Sequence, residues 1–187
     1  MRTTSAAFLA FFTLMAAPTA SMAVMKDGGF EVGGYLTAVN FDEESNIEDE
    51  IGLGFRFGIV FVRQHEMEFS ADFIGTEDDF GGFFDVDLAT FKAGYVFNIV
   101  PDGAIVPLLT VGGGFQNIEI SEDHGFDEFI VEEETDPLFY AGAGVRFFIG
   151  AVFNIRVDGQ AVVVFPDEGD PDELLDGVLN VGVGWAF

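Results

Sequence analysis

From Ile51 onward the chain alternates with a period of two. Ile51, Leu53, Phe55, Phe57, Ile59 and Phe61 hold one parity; Gly52, Gly54, Arg56, Gly58, Val60 and Val62 hold the other. Successive side chains of a strand point to opposite faces, so this reads as a strand with one large apolar face and one small or charged face. The pattern recurs along the chain. Met67, Phe69, Ala71 and Phe73 oppose Glu66, Glu68, Ser70 and Asp72, and Phe91, Ala93, Tyr95 and Phe97 oppose Thr90, Lys92, Gly94 and Val96. Pro107, Leu109, Val111, Gly113 and Phe115 oppose Leu108, Thr110, Gly112 and Gly114, while Phe139, Ala141, Ala143, Val145 and Phe147 oppose Tyr140, Gly142, Gly144 and Arg146. Ile155 to Phe165 oppose Arg156, Asp158 and Gln160, and Leu179 to Phe187 oppose Val178, Asn180, Gly182 and Gly184. Phe30, Val32, Gly34, Leu36 and Ala38 form a weaker first strand. The reading is all-β, with eight strands and no helix.

The connections alternate in length. Short links are expected near Gln64, Pro101 and Gly150, and long ones over Asp42–Glu50, Thr76–Gly82, Glu119–Asp136 and Pro166–Asp176. Short and long connections at opposite ends describe an antiparallel up-and-down barrel with one elaborate rim. An interior of eight strands is just wide enough for its own side chains. The glycine-rich parity, which carries the long charged residues, suits that crowded lumen, and the phenylalanine parity then faces outward. In water such an exterior invites aggregation; in lipid it matches the solvent. An eight-stranded transmembrane β-barrel is expected. In the hairpin at Arg63–His65, outward residues are odd-numbered on both strands. An odd loop length follows, and one allowed register sets Arg56 opposite Asp72.

The first residues follow a different pattern. Arg2 precedes the uncharged apolar run Ala6–Ala17, Pro18 ends it, and Ser21-Met22-Ala23 places small residues before a cleavage point. This is the secretory signal pattern, with residues 1–23 removed and 24–187 forming the barrel domain. The apolar run is shorter than the ~20 residues of a membrane-spanning helix.

Composition sharpens the picture where it separates charge from apolar surface. The 187 residues carry 33 Asp and Glu against 7 Lys and Arg, a net charge of -26, yet 49% are hydrophobic and 24 are Phe. So much apolar surface excludes bulk disorder. The scarcity of bases argues against nucleic acid, and the absence of cysteine removes disulfides and thiolate chemistry. The four long connections hold six, three, nine and six acids and no Lys or Arg. Arg56, Lys92, Arg146 and Arg156 fall instead on the lumen parity, beside Glu68, Asp72 and Asp158, where they can pair across the interior.

The end of the chain, Asn180-Val181-Gly182-Val183-Gly184-Trp185-Ala186-Phe187, resembles the carboxy-terminal assembly signal of bacterial outer-membrane barrels, with Asn180, Gly182, Trp185 and Phe187 matching position by position. Ile105 to Phe115, a proline and apolar residues followed by a glycine-rich run, resembles a strand of the outer-membrane β-barrel family that includes the opacity proteins and the barrel of outer-membrane protein A. Ala141-Gly142-Ala143-Gly144-Val145 is similar to the strand that follows, and Leu108 stands where that family often has Tyr. The resemblance implies location in the outer membrane of a Gram-negative envelope, contact with lipid and lipopolysaccharide, and reading of the chain end by the barrel-assembly machinery.

No constellation of catalytic residues emerges. Gly52-x-Gly54 and Gly142-x-Gly144 precede no helix, as a dinucleotide site would require. His65 sits at a turn and His124 in an acidic connection, and neither has a serine and an acid placed for a triad. No enzymatic activity and no cofactor are expected. Asp167-Glu168-Gly169-Asp170-Pro171-Asp172-Glu173 lacks the alternating acids of an EF-hand, although clustered carboxylates can hold Ca²⁺ or Mg²⁺ weakly. Three functions are consistent with the pattern: a structural or surface-interaction barrel with a plugged lumen; a porin-like narrow channel for small solutes or cations; and an exported soluble barrel with its apolar face inward. The first is favoured, with the channel as the alternative.

Overall fold

The computed structural model describes residues 26–40, 50–77, 84–123, 128–165 and 174–187. The expected signal segment 1–23 and most of the first, second and fourth long connections lie outside the described residues. The strands are β1 (Gly29–Asn40), β2 (Glu50–Val62), β3 (His65–Glu77), β4 (Phe84–Asn98), β5 (Ile105–Asp123), β6 (Glu128–Ile149), β7 (Phe153–Val164) and β8 (Leu174–Ala186). Each pairs antiparallel with its sequence neighbours, and β8 returns to β1 to close the barrel. The closing ladder runs from Glu31↔Ala186 to Asn40↔Gly177. Beyond it, Phe187 N–H donates to the Phe30 carbonyl (2.8 Å) and Phe30 N–H to the Phe187 carbonyl (3.3 Å).

The parity of the pattern sets which side chains enter the lumen. Phe55 and Phe139 are 63% and 64% exposed, whereas the residues beside them in sequence, Gly54, Arg56, Leu138 and Tyr140, are buried. An inward-facing apolar parity, as in the soluble barrel, is thereby overturned. Outward aromatic rings occur along the apolar band and pack on one another across strands. Phe91 packs on Phe73 (6.2 Å between centroids) and on Phe115 (5.4 Å), and Phe139 on Phe165 (6.0 Å), toward the long connections. Phe153 packs on Trp185 (5.5 Å) toward the short turns. An apolar band with aromatic girdles is the exterior of a membrane-spanning barrel.

Two expectations are corrected. The third connection, expected as a loop over Glu119–Asp136, is largely strand: β5 and β6 remain paired to Asp123↔Glu128. Ile118, Ile120, Phe129, Ile130 and Val131 have strong β-propensity and lie among the acids; the charge run masked them. The second correction is the β2–β3 register. Arg56 stands opposite Ser70, and Asp72 opposite Gly54, so the expected Arg56–Asp72 pair does not form. A two-residue turn at Arg63-Gln64 closes Val62↔His65, and a bulge between Val60 and Val62 restores the parity. Sequence parity alone could not reveal that bulge.

Glycine on the inner face allows strands and rings to approach. A Cβ on Gly54 would overlap the Tyr35 ring, and one on Gly114 would overlap the Phe91 carbonyl. Two consequences can be measured in detergent or liposomes. Phe57→Arg is expected to cost ~2–4 kcal/mol near the bilayer midplane. Gly114→Ala, which meets backbone rather than a movable side-chain tip, is expected to lose at least ~1–3 kcal/mol. Spin labels at 55 and 57 should be quenched from the lipid phase, and labels at 56 and 58 should not.

Candidate functional site

Among the described residues, the barrel interior concentrates charge away from water. It is layered between apolar ends. Toward the short turns, Val60, Val106 and Phe148 pack together with Ala186. Toward the long connections lie Val39, Ile74 and Leu88 with Ile118 and Val178, beside a second cluster of Leu138, Tyr140, Val162 and Val164. The alternating strands supply these residues where the inward parity becomes apolar toward a strand end, as at Val60 of β2 and Ile74 of β3.

The charged layers lie between these ends. In the middle, Arg156 forms a bidentate pair with Glu68, through Nη1 to Oε2 and through Nη2 to Oε1 (3.2 Å), and its Nε donates to Asp158 Oδ1 (2.7 Å). Arg56 Nη1 reaches the same Asp158 oxygen at 3.1 Å, and its guanidinium lies 4.3 Å from the centre of the Tyr35 ring. The other Asp158 oxygen accepts from Gln160 Nε2 (3.1 Å) and Asn180 Nδ2 (3.0 Å). Nearer the long connections, Lys92 Nζ pairs with Asp72 at 2.7 Å and donates to Gln160 at 3.2 Å. Nearer the short turns, Arg146 meets Glu66 (3.1 Å), Glu31 (3.3 Å) and the Asn98 side-chain oxygen Oδ1 (3.3 Å).

All seven charged residues expected in the lumen are there: Arg56, Glu68, Asp72, Lys92, Arg146, Arg156 and Asp158 are each buried. Their partnerships differ from the expectation, since Arg56 serves Asp158 and Asp72 serves Lys92. Sequence reasoning missed Glu31, Tyr35, Asn98 and Asn154 and did not give Glu66 a role. Extending the parity of the weak first strand would have found Glu31 and Tyr35 beside Thr37. Of the matched terminal residues, Asn180 points inward to Asp158 and Gly182 lies against Tyr35, while Trp185 and Phe187 face out. His65 contacts Tyr95 and Phe97 on the exterior, with no serine or acid in the arrangement. His124 lies outside the described residues.

Chemically, this arrangement is a plug. Each guanidinium or ammonium sits on carboxylates, and the cavity beside Asp72, Lys92 and Thr37 has a volume of ≈ 20 Å³, room for about one water. No group of three or more potential metal ligands occurs among the described residues. A buried pair breaks at high cost when one partner goes, because the other charge stays behind. Arg56→Leu is therefore expected to destabilise by ~3–5 kcal/mol. Double-mutant cycles should give coupling of ~0.5–3 kcal/mol for Arg56–Asp158 and for Lys92–Asp72, and a much smaller value for Arg56–Asp72.

Comparison with known proteins gives one family and one fold. The family model of the outer membrane protein β-barrel domain matches residues 4–187. Among solved structures, Neisserial surface protein A superimposes with a TM-score of 0.66 at 13% identity, covering 86% of this chain and 100% of that one. OprG from Pseudomonas aeruginosa gives 0.62 at 12% identity, covering 89% and 99%. Ail, the attachment invasion locus protein of Yersinia pestis, gives 0.57 at 16%, covering 87% and 100%. No curated protein matches the sequence significantly.

Proposed function

The chain belongs to the outer membrane protein β-barrel domain family and resides in the outer membrane, and from that premise we propose a non-catalytic structural and surface-interaction role. The observation that carries this reading is the lumen: paired charges between two apolar ends, with a cavity beside Asp72 and Lys92 that has room for about one water. A conducting pore needs a continuous polar path with groups free to hydrate an ion. Here the charged groups pair with one another, and apolar clusters pack toward both ends. Ail and Neisserial surface protein A carry names that describe attachment and surface location, which accords with a barrel that acts through its outer rim.

The rim is where this chain invests its charge. Its four long connections hold 24 acids and no Lys or Arg. Two of these acids, Asp136 of β6 and Asp176 of β8, are buried in the barrel; on this reading the carboxylates outside the barrel are solvated and meet anionic lipopolysaccharide headgroups through weakly held Ca²⁺ or Mg²⁺. The terminal residues Asn180, Gly182, Trp185 and Phe187 serve assembly: the barrel-assembly machinery reads β8 as it closes on β1.

Refolded protein in planar bilayers is expected to show no steady conductance, with or without Ca²⁺. A stable open level would replace this role with that of a small-solute or cation channel. For assembly, deleting Phe187 removes an apolar contact worth ~1.5–3 kcal/mol at most. Its yield in the outer membrane should fall by more than its denaturation midpoint in micelles would account for. Normal yield would remove the recognition role from this residue.

A further inference from the structure

Charge balance inside the barrel fails clearly toward the short turns. In the middle Arg56 and Arg156 balance Glu68 and Asp158; toward the long connections Lys92 pairs with Asp72, with buried Asp176 lining the same cavity and Asp136 also buried. Toward the short turns, Arg146 meets two carboxylates, Glu31 and Glu66, and all three residues are at most 1% exposed. Hydrogen bonding is incomplete at the same place. Both oxygens of Glu31, Oε1 of Glu66 and both amide atoms of Asn154 lack a hydrogen-bond partner among the described residues. Asn154 is 0% exposed. It lies on β7 opposite Gly184 of β8, and Glu31 lies on β1, the strand on the other side of β8. Gly184 opens a space between them. A Cβ built there would come within 3.0 Å of Glu31 Oε1 and 3.1 Å of both Asn154 Nδ2 and Oδ1.

An uncompensated carboxylate and an unpartnered amide are each costly in a dry interior. One small cation would offset the excess charge and give the Asn154 oxygen a partner. We propose that the space at Gly184 binds a single, singly charged, oxygen-coordinated cation, sodium, held by Glu31 and Asn154 Oδ1 with Glu66 completing the charge balance. A divalent ion fits less well. It would leave the layer positive, and it demands six or more oxygens or tightly held water. A neutral water would satisfy the amide but leave the excess charge. Glu31 is faced by Arg146 of β6, Glu66 and Glu68 of β3 and Arg156 of β7, with Arg56 on the adjoining β2. Because Val60, Val106 and Phe148 close the short-turn end, the ion is captured as the barrel closes.

The test is refolding of the full chain into micelles at fixed ionic strength, in sodium chloride or choline chloride, at mildly alkaline and mildly acidic pH. Sodium at ~100 times its dissociation constant shifts the folding equilibrium about 100-fold. The alkaline sample is expected to be more stable in sodium than in choline, and the difference to shrink in acid as protons compete for the carboxylates. Stabilisation by acid with no sodium effect would overturn the proposal, because a protonated carboxyl then balances the layer without an ion. Glu31→Gln should abolish the sodium dependence, leaving only the salt response of the acidic rim that wild type shares. Gly184→Ala, which fills the space while keeping both ligands, should do the same if the Gln variant fails to fold. Wild-type stability indifferent to both sodium and acid would overturn the proposal in favour of a neutral water. Sodium dependence that survives in both variants would overturn it by placing the effect elsewhere.

Discussion

A backbone N–H or C=O left unpaired in hydrocarbon costs several kcal/mol, so a strand inside a membrane needs a neighbour on each side. For β8 the second neighbour is β1, through a ladder from Glu31↔Ala186 to Asn40↔Gly177. Closure with eight strands then limits the interior to what side chains can fill. The inner parity must accommodate that limit, and this accounts for the pairing of very small and very long residues on it. The Tyr35 ring lies over Gly54 and the Tyr140 side chain against Gly94 and Gly112, places where a Cβ would collide. The outer parity answers to lipid alone and is free to be large.

The filled lumen carries a thermodynamic tension. Moving ions out of water costs several kcal/mol each, and good pairing repays that only in part. The layers reduce the cost by sharing partners: Asp158 accepts from Arg56, Arg156, Gln160 and Asn180, and Arg156 grips Glu68 with two nitrogens. An apolar filling of the same volume could be equally stable. A charged filling adds specificity, because a slipped strand would bury an unpaired charge and face apolar residues inward. The same interactions that specify the barrel leave little freedom for ions to pass.

Much of this was legible in the sequence because a period of two is a local property. Inside and outside were assigned from Phe55, Arg56 and Phe57 without knowing any neighbour, and the seven lumen charges followed. Partnership is not local. Arg56 and Asp158 are separated by 102 positions, and their meeting depends on every intervening register. One bulge between Val60 and Val62 was enough to send Arg56 away from Asp72. Glu31 was missed for a related reason. Its strand has Gly33 and Gly34 at its centre, which weakens the alternation just where the acid enters the lumen. At the other rim, the acids around Ile118–Ile120 and Phe129–Val131 hid strands whose apolar residues were too few to stand out.

Dielectric environment explains how seven bases are divided in a chain of such acidity. Two unit charges 4 Å apart interact by about 1 kcal/mol in water and about 4 kcal/mol at an effective dielectric of 20. A carboxylate in an outer connection is solvated and needs no base; a carboxylate in the lumen cannot do without one. Four of the seven bases, Arg56, Lys92, Arg146 and Arg156, accordingly lie in the lumen, and the long connections have none. The net charge of -26 is thus mostly a property of the exterior, while among the described residues the interior sets four buried bases against seven buried carboxylates. The two regions are therefore under different constraints. Acids can be gained or lost in the connections with little consequence for the barrel, so the rim can change its surface chemistry. Each lumen base holds two or more partners in place, and its loss would disturb a whole layer.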